Sequence, residues 1–104
     1  MIQVSIIRSN QLYRMMKVTG HANSAPYGED LVCAAVSAVM TGGINALNLK
    51  AAKVKNTEGL SEIQITNLQN LENQSVLRVI STQLQTIAND YPTYIRIQTK
   101  EENV

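Results

Sequence analysis

Polar and apolar residues alternate from the start of the chain. Ile2, Val4 and Ile6 are separated by Gln3 and Ser5, and this period of two predicts a strand over residues 2–8. Ser9 and Asn10 supply a polar turn. Leu12, Met16 and Val18 predict a second strand over residues 11–19, so the chain opens with a hairpin. Residues 20–29 lose all periodicity and are rich in small and turn-forming residues, which reads as a loop.

Helical character follows over residues 30–50, where Ala34, Ala35, Ala38 and Ala46 are interspersed with Leu, Val and Met. Asp30 is placed to cap that helix, its carboxylate accepting from first-turn amides. Gly42 and Gly43 weaken the middle of the helix and are tolerated if another element packs closely there. Residues 52–58 and 61–66 read as a second hairpin about Gly59, with Ile63 and Ile65 on one face and Glu62, Gln64 and Thr66 on the other. The strongest period lies in residues 71–90: Leu77, Ile80, Leu84, Ile87 and Tyr91 form one apolar stripe of a helix. Pro92 ends it by pushing its predecessor out of the α region. Tyr94, Ile95 and Ile97 suggest a last strand. The order is ββαββαβ. It predicts an α+β fold, a two-layer sandwich with one mostly antiparallel sheet and both helices on one face.

Composition narrows the function. The chain has 104 residues, 44% hydrophobic, which suits a single domain over 1–104 with an aliphatic core, since Trp and Phe are absent. Nine Lys and Arg against eight Asp and Glu give a net charge of +1. That balance argues against a polybasic nucleic-acid grip, so no direct nucleic-acid binding is expected, although a local basic face remains open. No apolar run approaches the roughly 20 residues of a membrane span. The N-terminus lacks the basic region and cleavage site of a secretion signal, so the expected location is the cytoplasm. One Cys and one His exclude an intramolecular disulfide and a zinc site built from those residues. Phosphate-cradling glycine motifs are missing too, and no cofactor is implied.

Cys33 and His21 are then the side chains suited to nucleophilic catalysis at neutral pH, twelve positions apart. A helix starting at Asp30 puts Cys33 in its first turn, where free amides and the positive end of the helix dipole stabilise a thiolate. A neighbouring imidazole adds to this and can protonate a leaving amine. The plainer alternative is a Cys acting as a small buried hydrophobe and a His at a solvated strand end. Asp30 either caps the helix or orients His21. Ser37, one turn beyond Cys33, shares its helix face and either lines the site or bonds an upstream carbonyl. Asn23, Pro26 and Gly28 read as loop chemistry. The segment from 22 to 29 has no apolar anchors and is expected to be a poorly ordered lid over Cys33.

The segment Gly20-His21-Ala22, a short loop, and Gly28-Glu29-Asp30-Leu31-Val32-Cys33-Ala34-Ala35-Val36-Ser37-Ala38 resembles the Prp family of bacterial ribosomal-processing cysteine proteases. Leu84-Gln85-Thr86-Ile87 followed by Tyr91-Pro92 is similar to the family as well. The resemblance implies an endopeptidase that removes a short N-terminal extension from a large-subunit ribosomal protein, the one numbered twenty-seven. It implies Cys33 as nucleophile, His21 as general base and acid, and Asp30 and Ser37 as supporting residues. It also implies a homodimer and a substrate loop, here Asn23, Pro26, Tyr27 and Gly28, that moves when substrate binds. Two other functions fit the residues without it: a non-catalytic ribosome-associated binding module, and a redox-sensing thiol. His21 separates the protease from both, because neither needs an imidazole at that strand end.

Overall fold

The structure, a computed structural model, describes the backbone of residues 1–20 and 27–102, and the side chains of 1–20 and 31–102. Its elements are β1 (Ile2–Ser9), β2 (Leu12–Thr19), α1 (Tyr27–Asn45), β3 (Ala52–Thr57), β4 (Leu60–Ile65), α2 (Leu71–Asp90) and β5 (Ile95–Glu101). The strands form one sheet in the order β3-β4-β2-β1-β5. β1 pairs antiparallel with β2, β2 with β4, and β4 with β3, while β5 lies parallel to β1. The expected mostly antiparallel α+β sandwich is therefore present, with β5 as its one parallel strand. The β1–β2 hairpin turns on Asn10 and Gln11, both at positive φ (51° and 69°), the backbone sense that matches the twist of the flanking strands.

One face of the sheet carries the core. Val4 and Ile6 of β1 stand in register with Val18 and Met16 of β2, Ile2 with Ile95 of β5, and Met16 with Ile63 of β4. Val32, Val36 and Met40 of α1 and Leu77, Ile80 and Leu84 of α2 join the same buried cluster, so both helices cover this face. Each of these side chains contributes about 1.5–3 kcal/mol by leaving water. The opposite face is left open to solvent. Among the described residues, no helix is long and apolar enough to cross a membrane.

The helix boundaries of α1 differ from the sequence expectation at both ends. The helix starts at Tyr27, three residues earlier than Asp30, and stops at Asn45 rather than 50. Pro26 directly ahead of Tyr27 is a helix-start signal, and Glu29 and Asp30 suit the positive end of the dipole. Without an apolar period in residues 20–29, the sequence pattern puts them in a loop and the helix start at Asp30, about one turn late. At the other end, Asn48 closes the connection by accepting from Lys50 N–H at 3.0 Å through Oδ1.

Two buried amides hold the layers in register. Asn73 and Gln74, on α2, are both buried, Asn73 completely. Asn73 Oδ1 accepts from Asn48 N–H at 2.8 Å, and its Nδ2 donates to the Asn48 carbonyl at 3.0 Å. Gln74 does the same for Tyr13 on β2, at 2.7 and 2.8 Å. Asn70 caps α2 by accepting from Asn73 N–H at 2.9 Å.

Candidate active site

Cys33 is half-buried on α1. It opens on a cleft of about 250 Å³ between α1, the end of β2 and the β3–β4 turn. Ser37 and Thr41 follow it along the helix into the same cleft, with Val36 and Met40 below. Gly20 lines the cleft at the end of β2. His21 is the next residue in the chain.

Gly20 is constrained twice. Its φ is +93°, and a Cβ there would lie 2.6 Å from the Met1 carbonyl oxygen. Only glycine fits both conditions, so the chain leaves β2 on a path that no other residue allows. Its N–H donates to the Gly59 carbonyl at 3.1 Å, which ties the strand end to the opposite wall of the cleft.

That opposite wall runs from Asn56 to Ser61. Glu58 and Gly59 form the two-residue turn between Thr57 and Leu60, with Gly59 at φ +77°. Ser61 Oγ donates to Asn56 Oδ1 at 2.7 Å and closes the hairpin beside the turn. The sequence predicted this hairpin but not its role. Its place beside Cys33 depends on the β3-β4-β2 strand order, which no local pattern encodes.

The helix start changes the position of the thiol. Cys33 is the seventh residue of α1, not a first-turn residue. At about 1.5 Å rise per residue it lies about 9 Å along the axis from Tyr27. Its amide falls within the helical hydrogen-bond ladder, and the dipole effect has faded beyond the first turn. The expected stabilisation by free amides therefore does not apply. Asp30, the fourth residue of α1, lies inside the helix and does not cap it. Tyr27 and Gly28 belong to the first helical turn, not to a substrate loop. His21, Asn23 and Pro26, with residues 22–26 of the expected lid, lie outside the described residues.

A larger groove, about 560 Å³, runs between α1 and α2 past Ala38, Gly42, Ala46, Val76 and Val79. None of the side chains along it is titratable, whereas the smaller cleft holds the thiol of Cys33.

The chain is similar to known proteins along most of its length. The family model described as "Cysteine protease Prp" matches residues 1–96. A ribosomal processing cysteine protease Prp of Staphylococcus aureus is 35% identical over 86 residues, covering 78% of this chain and 81% of the relative. That of Mycoplasma genitalium is 31% identical over 93 residues, covering 88% and 94%. A crystal structure described as an essential ribosomal processing protease Prp from S. aureus in complex with a substrate peptide superposes with a TM-score of 0.87 at 30% identity, over 96% of this chain and 100% of the other.

Proposed function

The chain belongs to the cysteine protease Prp family, and on that premise we propose that it removes the short N-terminal extension of a bacterial large-subunit ribosomal protein, the one numbered twenty-seven, with Cys33 and His21 as its catalytic pair. Membership makes it a cysteine protease. The observation that carries the rest is the cleft itself. The chain's one thiol opens into it, and the residue preceding its one imidazole lines it.

The chemistry follows from those two groups. The Cys33 thiolate attacks the scissile carbonyl carbon. Collapse of the tetrahedral adduct breaks the C–N bond, and the His21 imidazolium gives its proton to the leaving amine. Water, deprotonated by His21, then attacks the thioester and restores the thiol. The S. aureus relative solved with a covalently linked product peptide supports a covalent route. Ser37, exposed one turn from Cys33, is available to hydrogen-bond the substrate backbone. Asp30 is a supporting residue by the family resemblance, and the catalytic pair is a dyad. The enzyme acts in the cytoplasm as a homodimer, in keeping with the family it resembles.

The test is cleavage of the extended ribosomal protein by the purified enzyme, read by intact-mass spectrometry. A product shortened at the N-terminus is expected, and none with Cys33→Ala. An intact substrate after prolonged incubation with wild-type enzyme overturns the assignment.

A further inference from the structure

The register sorts the chain's charges onto one side. Lys53 and Lys55 of β3, Lys17 of β2, and Arg96 and Lys100 of β5 all stand on the open face of the sheet, away from the helices. These are five of the nine basic residues, while Glu62 is the one acidic residue of eight that the register places among them. Glu62 Oε1 accepts from Gln64 Nε2 at 2.9 Å. Among the described residues, none of the five cations has an ion-pair partner within 4.0 Å. A net charge of +1 hides this face, because most of the acids lie elsewhere, Glu62 and the Glu102 that lines a hollow with Ile7, Met15 and Gln64 being the acids on it.

We propose that the open face of the sheet binds the phosphate backbone of RNA. The five strands span about 19 Å at roughly 4.8 Å spacing, and the cations reach from one edge strand to the other. The middle row across them, Lys55–Glu62–Lys17–Ser5–Gln98, is wholly polar. A protein partner of comparable area wants an apolar centre, and a membrane wants apolar side chains to insert. A phosphate chain needs neither, because its binding comes from neutralised charge and released counterions. The face lies across the sheet from α1 and Cys33, so it leaves the cleft free and stands independently of the protease assignment.

The test is fluorescence anisotropy of a labelled single-stranded RNA titrated with the full chain at about 50 mM and 200 mM salt. Saturable binding that weakens steeply with salt is expected. Lys17→Gln with Lys55→Gln should weaken it about tenfold and make the log–log salt slope shallower by about 1.4, at 0.7 per lost contact. Lys50→Gln, an exposed lysine outside the face, should change neither. Absence of binding at the lower salt, or a double variant that binds like wild type, overturns the proposal. So does a Lys50→Gln loss equal to that of the double variant, or sedimentation with phosphatidylserine vesicles without RNA binding.

Discussion

The Gly20 N–H donates to the Gly59 carbonyl at 3.1 Å, and this bond joins the two walls of the cleft. Both glycines have positive φ, +93° and +77°, so each wall turns at a residue whose backbone other side chains rarely adopt. The strand end that leads to His21 is thereby set by the N-terminus on one side and by the β3–β4 turn on the other.

Gly20→Ala should damage stability and catalysis together. The new Cβ meets the Met1 carbonyl oxygen and the backbone must hold a disfavoured φ, at a cost of about 1–3 kcal/mol. Relieving the strain moves the strand end that precedes His21. The expected outcome is a lower thermal midpoint and a fall in kcat larger than the change in KM. Wild-type kcat in a variant that melts earlier would show that this path does not position the imidazole.

Cys33→Ala should abolish cleavage and keep the fold, because Ala replaces a half-buried small residue within a helix. His21→Ala should lower kcat by about 10²–10⁴-fold, the usual worth of a positioned acid–base group. It should also slow alkylation of Cys33 by iodoacetamide at neutral pH, because the proposed pairing of thiol and imidazole is lost. Asp30→Asn should slow both, but less. Alkylation that is equally fast in wild type and His21→Ala would mean that the two residues are not paired before substrate binds.

How far the sequence reveals this architecture depends on the range of the interactions. The Leu77–Ile80–Leu84 stripe and the alternation in β1 are local signals, and both are buried as their periods require. The α1 start is not legible locally, because Tyr27, Gly28 and Glu29 carry no apolar period and the signal rests on Pro26 alone. β5 continues to Glu101 through Gln98, Thr99 and Lys100, which are exposed at the sheet edge, pair with β1 through backbone, and show no alternation. Cys33 and Ser37 share a cleft as their spacing of one turn implies. The contribution of Asn56–Ser61 was invisible, because it arises from strand order.

Gly42 and Gly43 should respond in opposite directions to Ala. A Cβ on Gly42 meets nothing within 4 Å, so the gain in helix propensity, about 1 kcal/mol, stands alone. A Cβ on Gly43 runs into the Ile80 side chain, which is 1% exposed and has little room to move. Overpacking of that kind costs about 1–3 kcal/mol and outweighs the propensity gain. Urea unfolding should give a higher midpoint for Gly42→Ala and a lower one for Gly43→Ala. A stabilised Gly43→Ala would show that the helices separate easily at this point.

Asn73 and Gln74 interrupt the helix–sheet core with polar groups, and their value lies in the backbone atoms they satisfy. Gln74 pairs with both the N–H and the carbonyl of Tyr13, and Asn73 with those of Asn48. Gln74→Met keeps much of the volume but leaves two part-buried backbone groups without their partner. At about 1–1.5 kcal/mol for each net hydrogen bond, the loss is about 2–3 kcal/mol. Asn73→Ala should cost at least as much, since it adds a cavity at a site with no exposed surface. The two effects should be separable by amide hydrogen exchange. Gln74→Met should raise exchange at Tyr13, which faces α2 from β2, while Asn73→Ala should raise it at Asn48 in the connection after α1. Uniform acceleration of both sites in either variant would mean that each amide stabilises the whole fold and does not fasten its own segment.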